Sequence, residues 1–183
     1  MNDSQKKFLM DIAGKTIKNY LETKKILELE EGGIESFFKE KRGAFVSLHI
    51  NENLRGCIGY ILPVKPLYIT VIENAYNAAF KDPRFAPLSK SEYENLDIEI
   101  SVLSIPEKIS SYKEIVIGKH GVILKNGFYQ AVFLPQVAVE QNWDVETMLA
   151  HLSIKASGDA NLWKNNNTEF ETFEAEIIKS ENA

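Results

Sequence analysis

The 183-residue chain is expected to fold as an α+β protein, with two lobes of antiparallel sheet and flanking helices. Three observations predict this. Two runs of alternating polarity, Ala44 to Ile50 and Leu54 to Tyr60, face each other across a short polar loop. The dipeptide Asn126-Gly127, a strong hairpin signal, separates two further apolar runs. Each hairpin is then followed by proline, a helical stripe and one more alternating strand. The order hairpin, proline break, helix, strand therefore occurs twice. Gly43 and Gly118 open the units, and Ile98 and Phe173 lie in the closing strands at the same offset. An internal β-β-α-β duplication with a cleft where the halves meet explains this spacing. Coincidence between two common arrangements explains it equally well, because few side chains match.

The elements follow in chain order. Phe8, Ile12, Ile17, Tyr20 and Leu21 recur at helical spacing, so an amphipathic helix is expected over 4–22 with Ser4 as its N-cap. The charged, glycine-containing run 28–33 separates it from Ile34-Glu-Ser-Phe-Phe, which fits no single element. The first β-β-α-β unit spans about 43–104. Within it, Pro63 and Pro66 break the return strand, and Leu67 to Phe80 reads as a helix with Ile69, Ile72, Ala75, Ala79 and Phe80 inward. Asp82-Pro83 stops that helix, and Ser89 with Glu92 resembles a capping box. Leu96 to Ser104 reads as a strand with Ile98, Ile100 and Val102 inward.

The second unit spans about 116–178. Strands are expected over Val116 to Lys125 and Phe128 to Leu134, the latter ended by Pro135. Asp144 caps a helix running to about Ala156, with Val145, Met148, Leu149 and Leu152 on one stripe, and Gly158 stops it. A last strand, Phe170 to Ile178, places Phe173, Ala175 and Ile177 on one face.

Chemistry concentrates on the first hairpin. Cys57, the only cysteine, stands between Gly56 and the Ile58-Gly59 pair, two residues after Arg55. Cysteine reacts as thiolate, which a neighbouring guanidinium favours and an apolar core disfavours. A three-residue loop, Asn51-Glu52-Asn53, pairs even positions with even ones, so that Ile50 faces Leu54, His49 faces Arg55 and Ser47 faces Cys57. One face is then core, and the other gathers Ser47, His49, Arg55 and Cys57. A two-residue loop instead sets Cys57 opposite Leu48 and disperses the cluster. Two readings of Cys57 fit the pattern: a thiol lining a ligand-facing surface, or a small hydrophobe packed between layers.

Composition narrows the classes. A hydrophobic fraction of 44% and a charged fraction of 26% are ordinary for a soluble globular chain. One cysteine allows no internal disulfide. A formal net charge of -5, without a basic cluster interleaved with aromatics, argues against a nucleic-acid surface. His49, His120 and His151 are far apart and no Cys-x-x-Cys or His-x-x-x-His spacing exists, so no metal site is evident and the cofactor is unknown. No apolar run has signal-peptide or membrane-spanning character, and a cytoplasmic location without membrane attachment is expected.

Several of these segments resemble one family. Leu54-Arg-Gly-Cys-Ile-Gly59 is similar to the signature of the AMMECR domain family, called AmmeMemoRadiSam system protein A in prokaryotes. Ala79-Phe-Lys-Asp-Pro-Arg-Phe85, Ile98 to Ser104, Gly118-Lys-His-Gly121, Leu134-Pro-Gln-Val-Ala138 and Trp143-Asp144 follow in that family's order across roughly 5–165. The resemblance implies one AMMECR-type domain over 1–183, an α+β fold of two unequal lobes and a pocket lined by the Arg-Gly-Cys strand. Its prokaryotic name also implies association with Memo-type and radical SAM proteins. Ser153 departs from prokaryotic members, which commonly carry a second cysteine there; this argues against a mechanism built on a cysteine pair.

The candidate catalytic residues are Cys57, Arg55, His49 and His120. Ligand contacts are expected from Ser47, Gly56 and Gly59 on the hairpin, and from Asp82, Arg84 and Phe85 at the helix end. Glu99 and Gln136 complete the set. Arg84 serves as an anion clamp or as a brace for the helix end. His120, between glycines, is a distant proton carrier or a structural turn residue. Gln136 offers an amide or caps a broken strand, and Glu99 is a cleft acid or a solvated sheet residue. The leading reading is a protein that binds or modifies a small molecule or modified peptide in an inter-lobe cleft lined by Arg55 and Cys57. The competing reading is a non-catalytic interaction or regulatory domain, and the acidic balance disfavours a nucleic-acid accessory role.

Overall fold

A computed structural model describes residues 1–180. It contains two antiparallel four-stranded sheets in an α+β arrangement, and the described residues divide into a unit of 1–103 and 176–180 and a second of 104–175.

The first unit opens with α1 (Asp3–Thr23), whose N-cap is Asn2 rather than Ser4. Asn2 accepts the Gln5 N–H, and the Gln5 side chain returns a bond to the Asn2 N–H, a reciprocal box that Ser4 has no matching partner to form. A short helix, α2 (Ser36–Lys39), begins within the Ile34-Glu-Ser-Phe-Phe segment, whose pattern matches no single element. Next come β1 (Ala44–Ile50), β2 (Asn53–Tyr60), α3 (Leu67–Phe80), α4 (Lys90–Tyr93) and β3 (Asp97–Leu103). With β8 (Ala175–Lys179), the sheet runs β2-β1-β3-β8. Ala44, Val46 and Leu48 of β1 and Ile98, Ile100 and Val102 of β3 turn inward onto Leu9, Ile12 and Ile17 of α1 and Val71, Ala75 and Ala78 of α3. Burial on α3 extends past the expected stripe to Leu67, Val71, Asn74 and Ala78. Asn74, inside this core, donates to the Ala44 carbonyl at 3.0 Å and ties the helix to the central strand.

The hairpin loop differs from expectation in an instructive way. Asn51 and Glu52 both adopt positive φ, 50° and 64°, the signature of a two-residue turn, and Ile50 pairs with Asn53 rather than Leu54. His49 therefore faces Leu54, not Arg55, while Leu48 faces Gly56. Arg55 is the extra residue of a β-bulge. One odd residue inserted in the loop or one step later restores the same parity, so Ser47 still faces Cys57.

The second unit contains β4 (Glu107–Ile109), β5 (Gly121–Asn126), β6 (Tyr129–Phe133), α5 (Pro135–Glu140), α6 (Val145–Ser157) and β7 (Glu169–Phe173), with sheet order β4-β7-β5-β6. Residues 116–120 form a turn before β5 rather than part of a strand. The hairpin turn centres on Gly127-Phe128, one residue later than the Asn-Gly reading, because Asn126 pairs with Tyr129. Pro135 starts α5, an element the sequence pattern did not reveal. Val122, Leu124, Met148, Leu149, Leu152 and Phe170 form this unit's core.

The expected final strand is two strands in two sheets. Glu174 lies between β7 and β8, and the inward parity changes there: Phe173 and Ile178 are buried while Ile177 is exposed. Both sheets nevertheless share one strand order, with the first hairpin strand of each unit central between its hairpin partner and the closing strand. The fourth strand of each sheet follows the closing strand of the other unit in sequence. The repeat is thus topological, and its spacing is longer between opening strands than between closing ones.

Candidate functional site

Cys57 lies in β2, an edge strand, so backbone groups directed away from β1 need partners outside the ladder. The Asp82 carboxylate accepts the Cys57 N–H at 2.9 Å, and Arg84 Nη2 donates to the Cys57 carbonyl at 3.1 Å. Arg84 also donates from Nε to Asp82 Oδ1 at 2.9 Å and from Nη2 to Oδ2 at 2.6 Å. The rigid Asp82-Pro-Arg turn thus gives this one peptide what a neighbouring strand would give it, and closes the edge to strand addition. Since the Cys57 backbone points away from β1, Ser47 and Cys57 form the kind of antiparallel pair whose side chains approach most closely. Ser47 Oγ donates to Cys57 Sγ at 3.2 Å, and the thiol is half-buried.

Arg55 does not join that pair. The bulge sends its Nε to Glu92 Oε1 at 2.8 Å and its Nη2 to the Ala86 carbonyl at 2.8 Å. Glu92 is held in turn by Ser89 through the α4 capping box. Phe85 packs between the two guanidiniums, 5.8 Å from Arg55 and 5.4 Å from Arg84. Both arginines therefore brace the β2 hairpin against the α3–α4 connection with their charges paired.

These pairs shape the acid response. Arg84 holds the buried Asp82 carboxyl well below the usual carboxylate range, helped by the N–H groups of Cys57 and Arg84. Arg55, with the Ser89 N–H, lowers Glu92 to about 2. Groups depressed in the folded state add stability above their unfolded pKa of about 4 and lose it as pH falls through the folded value. The urea midpoint is expected to hold between pH 7 and 5 and to fall steadily from pH 5 towards 2, with a shallower fall in Glu92→Gln.

Two glycines of the motif are places of close approach. A Cβ on Gly56 would lie 2.1 Å from the Ala78 carbonyl oxygen, and one on Gly59 would lie 2.2 Å from the Phe45 ring. Across β1 from Cys57, Ser47 pairs with Glu99 of β3, whose Oε2 is 3.2 Å from Lys179 Nζ. One sheet face thus carries a thiol, a hydroxyl, a carboxylate and an ammonium in adjacent positions. His49, two residues along β1 on the same face, pairs with Asp97. The adjacency of Glu99 to Ser47, the pairing of Glu92 with Arg55 and the places of Asp97 and Lys179 are not legible in the sequence.

His120 and Gln136 belong to the second unit. His120 Nδ1 accepts the Val116 N–H at 3.2 Å and closes the turn before β5. Gln136 is exposed in the first turn of α5. Ser153 is fully buried, donating to the Leu149 carbonyl and accepting the Trp163 N–H at 3.0 Å. Its hydroxyl links α6 to the following turn. Among the described residues no three His, Cys, Asp or Glu side chains converge to hold a metal ion, and no helix is long and apolar enough to cross a membrane.

Two antiparallel sheets with flanking helices define an α+β protein, whose edge-strand cysteine is locked by an Asp-Pro-Arg turn. The AMMECR1 family profile matches residues 10–178, and the chain belongs to that family. It is 42% identical to Protein MJ0810 of Methanocaldococcus jannaschii, over 94% of this chain and 88% of that protein. With Protein PF1979 of Pyrococcus furiosus the identity is 38%, over 99% and 90%. The crystal structure of the uncharacterized protein PH0010 from Pyrococcus horikoshii superposes with a TM-score of 0.84 at 36% identity, covering 99% of this chain and 94% of that one.

Proposed function

We propose that this protein binds or modifies a small molecule or a modified peptide at the Ser47–Cys57 pair, with Cys57 as the group that touches it. One observation carries the reading: a half-buried thiol receives the Ser47 hydroxyl while Asp82 and Arg84 fix its peptide from the other side. Preorganisation of this kind holds a reacting or binding group without further ordering cost. Arg55 is a supporting residue here, since its charge is paired with Glu92. His49, about 7 Å along β1 from Ser47, is the candidate for proton handling. A peptide is held by its side chains, because the closed edge at Cys57 excludes strand addition at that point. The family association extends the proposal to a cytoplasmic pathway shared with Memo-type and radical SAM proteins.

Native mass spectrometry of the chain purified from its own cells tests this reading. Wild-type protein is expected to retain a small-molecule mass that Cys57→Ser loses. The bare chain mass in both proteins would overturn it.

A further inference from the structure

Beyond Ser47 and Glu99, the same sheet face deepens into a cavity of about 250 Å³. His49 of β1, Glu52 of the hairpin turn, Asp97 and Glu99 of β3, and Lys179 and Ser180 at the end of β8 line it. We propose that this cavity is the recognition subsite of the Cys57 site and takes the ammonium group of a small aliphatic amine. The inference rests on the reading of Cys57 as a ligand-contacting thiol.

Size, charge and position support it together. The volume is below the roughly 300–1,000 Å³ typical of drug-sized ligands, so the group admitted is small. Lys179 pairs with Glu99, leaving Asp97 and Glu52 as the carboxylates of the lining that make no ion pair among the described residues. The cavity is then net negative and has acceptors for an ammonium. An anion entering it would meet these carboxylates instead. Its position follows from strand register. Cys57, Ser47 and Glu99 are consecutive cross-strand neighbours, so the thiol lies two strand spacings, roughly 10 Å, from the cavity wall. Asp97 lies two residues further along β3, so a ligand with its ammonium there needs an extended chain of roughly 12 Å to bring its other end over Cys57, and a four-carbon diamine occupies the cavity end alone.

Amide NMR titration of the full chain with 1,4-diaminobutane, and separately with butyrate, provides the test. The diamine is expected to give saturable shifts centred on His49, Asp97, Glu99 and Lys179, weakened about tenfold in Asp97→Asn. Butyrate is expected to give none. Absence of saturable shifts, equal shifts with butyrate, or binding indifferent to Asp97→Asn would overturn the subsite. The two readings fail separately. Diamine binding beside an inert Cys57 would remove the thiol proposal alone, and a reactive Cys57 without diamine binding would remove the subsite alone.

Discussion

Gly56→Ala is expected to destabilise the protein by about 3 kcal/mol, among the largest effects of any single methyl group added to this chain. The new Cβ would stand 2.1 Å from the Ala78 carbonyl oxygen and 3.0 Å from its carbon, both backbone atoms of α3 that no rotamer change can move aside. Relief requires β2 to lift from α3. That movement would strain the Cys57 contacts with Asp82 and Arg84 one residue away. The matched control is Gly32→Ala, where no atom lies within 4 Å of the new methyl and φ is not in the left-handed region. Its effect is expected within about 0.5 kcal/mol. Urea unfolding of the two variants checks the contrast, and equal midpoints would refute the close-approach account of the motif glycine.

Arg84→Ala is expected to cost about 2–3 kcal/mol. The Asp82 side chain is only 1% exposed, and deleting the guanidinium leaves its carboxylate with the backbone N–H groups of Cys57 and Arg84 alone. Half the Arg84 side chain is exposed, so water recovers part of the loss and keeps the figure below that of a fully enclosed pair. Asp82→Asn combined with Arg84→Ala is expected to cost less than the sum of the two single changes, since the double variant buries no unpaired charge. Additive costs in such a cycle would mean that the pair is not energetically coupled.

Many signals that need only near neighbours are legible in this sequence, although the α1 cap falls on Asn2 rather than Ser4 and the second hairpin turn lies one residue later than Asn126-Gly127. The α3 boundaries, the Ser89–Glu92 box, the Asp144 cap and the Gly158 stop all rest on contacts within a turn or two of the chain. The inward alternation of Ile98, Ile100 and Val102 was legible for the same reason. Three features were not. The bulge at Arg55 has the same parity as a longer loop, so alternation upstream cannot distinguish them. The change of sheet at Glu174 needs only one residue, too short to interrupt an alternating pattern visibly. The side-chain surrogate for a missing strand depends on residues 25 and 27 positions from Cys57, and spacing does not report contacts at that range.

The candidate site shows the same division. Ser47 opposite Cys57 followed from hairpin parity, whereas Glu99 opposite Ser47 required the β1–β3 register. Arg55 was expected beside the thiol because two residues of a regular strand share a face. The bulge cancels that inference locally and hands the guanidinium to Glu92. What remains at Cys57 is a hydroxyl, a thiol and a peptide held on its outer side.

Alkylation of native Cys57 by iodoacetamide at pH 7 tests the central claim most directly. If β2 presents the thiol as a functional surface group, labelling proceeds in the folded protein faster than global unfolding and is insensitive to stabilising the fold further. Labelling that occurs only at the rate of global unfolding would place Cys57 in the core and contradict the account.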